Sequence, residues 1–167
     1  MRDVCLRAVI AVLLAGACVS GCATVDLEGV RVGNPAPSFS LLTYEREKLT
    51  SESLKGQIVI LNFWSTGCLS CIKELPELQQ VASEAKVKVI GVALDTGGWQ
   101  AVKPILDRND ITYPVALGDE SLFTRFDCFS IPYTLILDRS LRIARIYRGP
   151  VTREMLERDI RALAGNV

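Results

Sequence analysis

The segment IVILNFW, at positions 58–64, constrains the fold more than any other part of the chain. A continuous apolar run of this length is typical of a strand that helices cover on both faces. A second such run, VKVIGVAL at 87–94, follows a stretch from 68 to 85 in which apolar residues recur at helical spacing. Two strands joined in this way form a parallel unit with a right-handed crossover. The sequence therefore predicts an α/β protein built on buried strands.

The same spacing rules divide the remaining chain into short strands and helices. Apolar residues recur every three or four positions from Trp99 to Leu106, which predicts a helix with Trp99 as its first core contact. Upstream, residues 39–42 read as an edge strand, because the prolines before them supply no ladder donor. Downstream we expect a strand at 113–117, a helix at 120–127, a hairpin of strands 134–137 and 142–147, and a last helix capped by Thr152. This order predicts α/β alternation closed by an antiparallel edge.

The N-terminal segment has a different character from the rest of the chain. MRDVCLR is followed by AVIAVLLAGACVSG, and a basic start before an apolar run is the pattern of a secretory signal peptide. The run is shorter than the roughly 20 apolar residues that a membrane-spanning helix needs. Val19-Ser20-Gly21-Cys22 resembles the bacterial lipobox, which implies that residues 1–21 are removed and that Cys22 carries lipid. A plain secretory signal cut nearby is the alternative. We expect residues 22–34 to form a lipidated tether and 35–167 to form one domain.

Composition and charge exclude several classes of function. The chain carries 19 basic and 19 acidic residues, so no basic surface for nucleic acid is expected. Histidine is absent, which removes the usual general base and the commonest nitrogen ligand of metals. Six cysteines are present, but Cys5 and Cys18 lie in the predicted signal peptide and Cys22 is the predicted lipid site. The thiols that remain are too few for a disulfide-dense scaffold. We expect neither a bound metal nor another cofactor.

Two cysteines, Cys68 and Cys71, follow the first buried strand directly and open the predicted helix. The free amides at a helix start stabilise a thiolate, and in such motifs they lower a thiol pKa of about 8.5 toward roughly 3.5–7.5. Cys71 lies nearly one turn later and is sheltered, so we expect Cys68 to attack a substrate and Cys71 to resolve the adduct. A structural zinc site is one alternative, although the second cysteine pair or histidines it needs are missing. An inert structural disulfide is the other, although so short a loop constrains little of the unfolded chain.

The motif NFWSTGCLSC, followed by IKELP, resembles the thioredoxin-like thiol–disulfide oxidoreductases of the TlpA/ResA type. The similarity extends from GNPAPSF at 33–39 to the C-terminal helix and includes IPYT at 131–134. It implies a thioredoxin-like fold with an N-terminal extension and a central βα insertion, in which a mixed sheet is flanked by helices. It also implies a cis peptide before Pro132, in a loop that lies against the redox-active Cys68–Cys71 disulfide. Trp64, Ile131 and Pro132 are then expected to contact substrate, with the backbone of Ile131 pairing with an extended chain.

Glu74 follows Cys71 by three residues, so a helix brings both side chains to one face. In proteins of the ResA type a glutamate at this position is a buried proton acceptor for the resolving cysteine. A desolvated carboxyl group has a raised pKa and can exchange a proton with a thiol near neutrality. The alternative is a solvated glutamate paired with Lys73 or Lys88.

Several residues depart from the pattern of the TlpA/ResA type. Gly67 stands where these proteins commonly have a tryptophan, which exposes Cys68. Leu69 and Ser70, between the cysteines, are uncharged and do not bias Cys68 electrostatically. Cys128 occupies a place that is usually apolar, so we expect a buried, inert thiol. A third redox partner near the active site is the alternative.

The resemblance implies an enzyme that reduces disulfides of exported proteins, such as the apocytochrome c thiols of cytochrome c maturation or copper-site cysteines. It implies a place on the periplasmic side of the bacterial cell envelope, with the lipid anchor in the membrane. A membrane thiol electron donor of the CcdA/DsbD kind would then re-reduce the pair. One alternative is a peroxiredoxin-like thiol peroxidase, although Leu61 replaces the proline that its motif needs. Another is a copper-delivery protein on the same fold, which would need a wider cysteine spacing and a histidine.

Overall fold

The computed structural model describes residues 29–84 and 87–165. The predicted signal peptide and the predicted lipid site at Cys22 lie outside these residues. The strands are β1 (Ser40–Leu42), β2 (Lys48–Thr50), β3 (Val59–Trp64), β4 (Lys88–Ala93), β5 (Val115–Leu117), β6 (Tyr133–Leu137) and β7 (Ile143–Arg148). The helices are α1 (Leu69–Glu84), α2 (Gly98–Arg108), α3 (Glu120–Arg125) and α4 (Arg153–Ala164), with a 3-10 turn at Glu52–Leu54. None of the helices in the described part of the chain has the length and apolar character needed to cross a membrane.

Five strands form one mixed sheet in the order β5-β4-β3-β6-β7. β3, β4 and β5 run parallel, whereas β6 is antiparallel to β3 and β7 is antiparallel to β6. The predicted α/β alternation closed by an antiparallel edge is therefore confirmed. β3 is the central strand, so the segment that follows it emerges from the middle of the sheet. β5 and α3 lie between α2 and the hairpin of β6 and β7.

The first hairpin forms a sheet of its own. Residues 39–42 were expected to form an edge strand, and β1 is one of the two strands of a separate sheet, where it pairs with β2 so that Leu41 is opposite Leu49. Both leucines are buried in the core on one face of the main sheet. The residues after β1 meet the edge of the main sheet, where Thr43 bridges Ala116 and the amide of Tyr44 donates to the carbonyl of Val115 at 3.0 Å.

The folded domain begins earlier than its predicted start at residue 35. Val30 is buried in the core, and its amide donates to the Asp127 carboxylate at 2.9 Å. The amide of Gly33 donates to the carbonyl of Ile143 at 2.8 Å. The predicted tether over 22–34 is therefore wrong in its last residues, because one apolar side chain and two backbone hydrogen bonds attach them to the domain.

Each face of the sheet has its own hydrophobic core, and the side chains of β3 divide between the two. Val59, Leu61 and Phe63 point into one core, and Ile60 and Trp64 point into the core beneath α1 and α4. This alternation is the period of two that a strand imposes on its side chains. All six residues of β3 are buried, which confirms the interpretation of IVILNFW as a strand covered on both faces.

Candidate active site

The two cysteines lie where the central strand passes into the first long helix. Cys68 and Cys71 are joined by a disulfide. The amide of Cys71 donates to the sulfur of Cys68 at 3.2 Å, and the amide of Ile72 donates to the carbonyl of Cys68 at 3.1 Å. Cys68 is therefore the residue that caps the helix, with sulfur in the place of the usual side-chain oxygen. This geometry directs free backbone donors at the atom that becomes the thiolate after reduction.

The two sulfurs differ in their access to solvent. Cys71 has no exposed surface, whereas Cys68 is partly exposed. The Cys68 sulfur also lies 3.3 Å from the hydroxyl of Ser70. A substrate can therefore reach Cys68 and cannot reach Cys71 directly.

An aspartate that the sequence analysis did not identify holds the turn before Cys68. The amide of Thr66 donates to the two carboxylate oxygens of Asp95 at 3.2 and 3.1 Å, and the Thr66 hydroxyl donates to the same carboxylate. The amide of Leu94 donates to the carbonyl of Trp64 at 2.9 Å. The segment that follows β4 therefore fixes the approach to the cysteine pair. The sequence feature that could have identified Asp95 is its place just after a buried parallel strand, next to the strand that carries the cysteine motif.

Trp64 does not occupy the position expected of a substrate contact. Its side chain has no exposed surface, and it packs in the core beneath α1. A Cβ added at Gly91 would approach its indole nitrogen at 3.2 Å. A side chain without accessible surface cannot contact a substrate, so the expectation for Trp64 is wrong. The physical reason is that both faces of β3 are covered, so that no side chain of this strand reaches the molecular surface.

The loop before β6 lies at the same end of the sheet as the cysteine pair. β6 pairs with β3 so that Tyr133 is opposite Phe63, which places residues 131 and 132 beside the end of β3. The peptide between Ile131 and Pro132 is cis, as predicted. Pro132 is buried, and its carbonyl accepts from the amide of Gly149 at 2.9 Å. Within residues 29–84 and 87–165, no hydrogen bond joins the backbone of Ile131 to another backbone group.

Glu74 is a buried carboxyl group whose described hydrogen bonds come from neutral donors. It is 2% exposed, and its Oε1 accepts from the Asn62 side-chain amide at 2.7 Å. Its Oε2 accepts from the backbone amide of Val151 at 2.9 Å. Burial raises the pKa of Glu74 to about 7, although both hydrogen bonds act to lower it. The solvated alternative is wrong, because Lys73 is exposed and Lys88 pairs with another acid, Glu47.

Asn62 and Thr134 complete this buried polar group, and the sequence analysis identified neither. The Asn62 amide nitrogen that binds Glu74 also donates to the Thr134 hydroxyl at 3.0 Å, and both residues have no exposed surface. They are opposite each other in the ladder of β3 and β6. Asn62 could have been identified from the sequence as the single polar residue within IVILNFW, because a buried amide requires hydrogen-bond partners.

Cys128 is a free cysteine, and its predicted burial is confirmed. Its sulfur lies 3.7 Å from the carbonyl of Ser130. Burial raises the pKa of the Cys128 thiol to about 12, so at neutral pH the thiolate form is scarce.

Two large apolar side chains close in sequence to the cysteine pair and to the cis-proline are exposed. Leu69, the first residue of α1, lies between the two cysteines and is 77% exposed, and Phe129 lies two residues before Ile131 and is 83% exposed. Gly67, on the other side of Cys68, is exposed and offers no side chain. The surface around the accessible sulfur is therefore open.

Comparison with known proteins identifies relatives over most of the chain. A sequence model described as the AhpC/TSA family matches residues 32–158. The chain is 31% identical over 136 residues to the thioredoxin-like protein YneN of Bacillus subtilis (strain 168), an alignment that covers 79% of this chain and 80% of that protein. It is 30% identical over 135 residues to the thiol-disulfide oxidoreductase ResA of Bacillus anthracis, with 79% and 78% covered.

Solved structures with the same architecture include two from proteins of this kind. A thiol:disulfide interchange protein of the thioredoxin family from Chlorobium tepidum TLS has a TM-score of 0.70 and 28% identity, and covers 80% of this chain and 97% of its own. StoA from Bacillus subtilis has a TM-score of 0.64 and 29% identity, and covers 74% and 96%. The predicted thioredoxin-like fold is therefore confirmed.

Proposed function

We propose that this chain, which belongs to the AhpC/TSA family and is a thiol–disulfide oxidoreductase, reduces the disulfides of exported proteins. The proposed redox pair is Cys68 and Cys71. The observation that carries this proposal is the asymmetry of the pair. One sulfur caps a helix and is accessible, and the other is buried three residues before a buried carboxyl group on the same helix. An inert structural bridge requires neither feature.

The reaction that suits this geometry has two exchange steps. The Cys68 thiolate attacks one sulfur of a substrate disulfide, which breaks that bond and releases one substrate thiolate. The Cys71 thiolate then attacks the Cys68 sulfur of the mixed disulfide and releases the second substrate thiolate. Two electrons pass from the pair to the substrate, and the Cys68–Cys71 disulfide is restored.

Glu74 is the proposed general base, which accepts the proton that Cys71 must lose before it attacks the mixed disulfide. A thiol buried as deeply as Cys71 is held protonated by desolvation, so it needs a nearby base. The pKa of Glu74, about 7, is close to neutrality, where a general base is most effective. The spacing of three residues on α1 places both groups on one helix face.

The loop of Ile131 and Pro132 is assigned to substrate binding. The backbone of Ile131 lies beside the end of β3, where an extended substrate segment could pair with it as an added strand. The exposed side chains of Leu69 and Phe129 provide apolar contacts on either side of Cys68.

The cellular setting is also part of the proposal. Residues 1–21 act as a lipoprotein signal peptide and lipid on Cys22 anchors the protein, so that residues 22–29 link the anchor to the folded domain on the periplasmic side of the envelope. A membrane thiol donor of the CcdA/DsbD kind re-reduces the pair, and apocytochrome c or copper-site cysteines are the substrates. Palmitate labelling of the wild type, and its loss in Cys22→Ala, tests the anchor. Equal labelling of both would refute it.

Trapping experiments test the redox function directly. Reduced Cys71→Ala should accumulate a mixed disulfide with a test protein substrate, because no second thiol can release it, whereas Cys68→Ala should accumulate none. Cys128→Ala is the matched control and should reduce the substrate like the wild type. Failure of the reduced wild type to open the substrate disulfide would refute the proposal. Peroxide consumption faster than disulfide reduction would favour the thiol peroxidase instead.

A further inference from the structure

Asn62 is a polar side chain at the centre of an otherwise apolar buried strand. It has no exposed surface and stands between Glu74 of α1 and Thr134 of β6. Its amide nitrogen donates to both, at 2.7 and 3.0 Å. Within the described residues its amide oxygen is buried and has no hydrogen-bond partner. The same side chain thus presents one satisfied donor and one unused acceptor inside the core.

The surroundings of Glu74 suit a carboxylate and do not suit a carboxylic acid. Both of its oxygens accept from N–H groups, one from Asn62 and one from the backbone of Val151. A proton directed along either of these hydrogen bonds would meet a donor, and that hydrogen bond would be lost. The Val151 amide belongs to the backbone and can only donate. The Asn62 side chain carries both a donor and an acceptor on one rotatable group.

We propose that Asn62 is a positioning residue whose amide turns over when Glu74 gains a proton, so that Nδ2 binds the carboxylate and Oδ1 binds the carboxylic acid. Thr134 allows this rotation, because a hydroxyl group accepts from Nδ2 in one orientation and donates to Oδ1 in the other. The number of hydrogen bonds between these three side chains is then the same in both states. The inference rests on the proposed function, in which Glu74 exchanges a proton with Cys71.

The proton transfer itself is balanced and involves no redox change. The Cys71 thiol gives its proton to the Glu74 carboxylate, which leaves a thiolate and a carboxylic acid. The thiolate electron pair then forms the bond to the Cys68 sulfur. Without the rotation, a proton on Oε1 directed toward Asn62 would face the Nδ2 donor, and the hydrogen bond between the two buried side chains would be lost, which is unfavourable in a protein interior. The rotation keeps a hydrogen bond between Asn62 and Glu74 in both protonation states.

The groups that face Glu74 limit which titrations can be observed. Tyr113 faces it from the segment before β5, and burial together with the Glu74 charge raises the pKa of Tyr113, which keeps it neutral. Strands β3 and β6, which supply Asn62 and Thr134, contribute no charged side chain. On α1, Lys73 is exposed, and the Glu77 carboxylate accepts from the amide of Arg153 at the start of α4. Near neutral pH the carboxyl group of Glu74 is therefore the titrating group at this site, and in the proposed function its proton is the one exchanged with Cys71.

Nuclear magnetic resonance of the reduced protein tests the rotation. The Asn62 side-chain amide and the Glu74 carboxyl carbon would be followed from about pH 5 to 9, across the range in which such a carboxyl and thiol titrate. The expected result is that the two signals move with a common midpoint, and that the movement of Asn62 is lost in Glu74→Gln. An Asn62 signal that stays constant while Glu74 titrates would overturn the proposal.

Two substitutions of Asn62 provide a second, independent readout. Asn62→Leu keeps the size and removes the donor, so the Glu74 midpoint should rise by about one pH unit, a tenfold change in its dissociation constant, because the bond to the charged form is the stronger one. Asn62→Asp is the variant to use if the leucine variant fails to fold. It places a second carboxyl group beside Glu74 and should also raise the Glu74 midpoint. Asn109→Leu is the matched control, because Asn109 donates to the carbonyl of Ile105 at the end of α2, and it should shift nothing.

The outcomes separate this proposal from the one on which it rests. If the folded Asn62 variants keep the wild-type midpoint of Glu74, the role of Asn62 is refuted while substrate reduction by the wild type still stands. If the wild type reduces no disulfide, the proposed function fails, and the midpoints still report whether Asn62 follows the charge of Glu74.

Discussion

Among the residues that the structure describes, Glu74 and Asp159 are the buried carboxyl groups, and their partners differ. Asp159 is 3% exposed and is paired with Arg145 at 3.5 Å and Arg158 at 3.3 Å, while Tyr147 donates to its other oxygen. Glu74 is 2% exposed and accepts from two neutral donors. Burial alone therefore does not make a carboxyl group a proton carrier. A cation holds a carboxylate charged, whereas neutral donors leave it able to gain a proton near neutrality.

The largest effect expected from this difference is on the pH dependence of stability. The pKa of Glu74 is about 7 in the folded protein and is expected to be near its ordinary value of 4.5 in the unfolded chain. The folded state therefore holds the proton more tightly, so the stabilisation is complete below about pH 4.5 and is lost as the pH rises to about 7. The loss amounts to about 3 kcal/mol, since one pKa unit corresponds to about 1.36 kcal/mol.

Denaturant unfolding of the oxidised protein measures this dependence, because the disulfide removes Cys68 and Cys71 from the titration. The difference in unfolding free energy between the wild type and Glu74→Gln should change by that amount between acidic and neutral pH. Asp159→Asn retains Glu74 and should retain the wild-type change. If the difference in unfolding free energy between the wild type and Glu74→Gln does not vary with pH, the raised pKa of Glu74 is refuted.

The next effect is on the rate of disulfide reduction. Glu74→Gln removes the base that accepts the Cys71 proton, and general acid–base groups typically contribute about a hundredfold or more. We expect a loss of about a hundredfold at neutral pH, measured as release of substrate from the mixed disulfide on Cys68. Asp159→Asn should change the rate less than twofold. Equal losses in the two variants would mean that burial, and not the partners, decides the role.

The smallest effect is on the stability of the paired carboxyl group. Asp159→Asn leaves Arg145 and Arg158 without their charged partner, but both arginines are about half exposed or more, so water screens much of the interaction. The expected loss is about 1 kcal/mol at neutral pH, and it should shrink further at high salt. Urea midpoints at two salt concentrations measure it, and a loss that increases with added salt would contradict this assignment.

Local patterns predicted the elements of this fold better than the relations between them. The apolar run of β3 and the helical spacing of α1 depend on neighbouring residues alone, and both predictions are confirmed. That residues 39–42 form an edge strand also followed from a local signal, but the sequence did not show that this strand belongs to a separate two-stranded sheet. The start of the domain was misplaced for a similar reason, because a lone Val30 makes no local pattern.

In the candidate site, too, the features set by neighbouring residues were predicted and the contacts between distant segments were not. The cysteine pair and the burial of Glu74 followed from sequence spacing and resemblance, and the structure places them as expected. The partners of Glu74 come from β3 and from the loop before α4, which no spacing rule joins to α1. The expectation that Trp64 contacts substrate came from the resemblance, whereas the apolar run IVILNFW had itself predicted a strand buried on both faces. Contacts between distant segments were thus the part that local reasoning could not supply.

The most direct test concerns the sulfur on which the whole account depends. In the reduced Cys128→Ala protein, the alkylation rate of Cys68 should be measured against pH, with mass spectrometry to assign the modified residue. Because free amides at the start of α1 face this sulfur, the midpoint should fall well below the value of about 8.5 for a free thiol. A midpoint at or above that value would contradict the account, since Cys68 would then lack the thiolate that attacks the substrate.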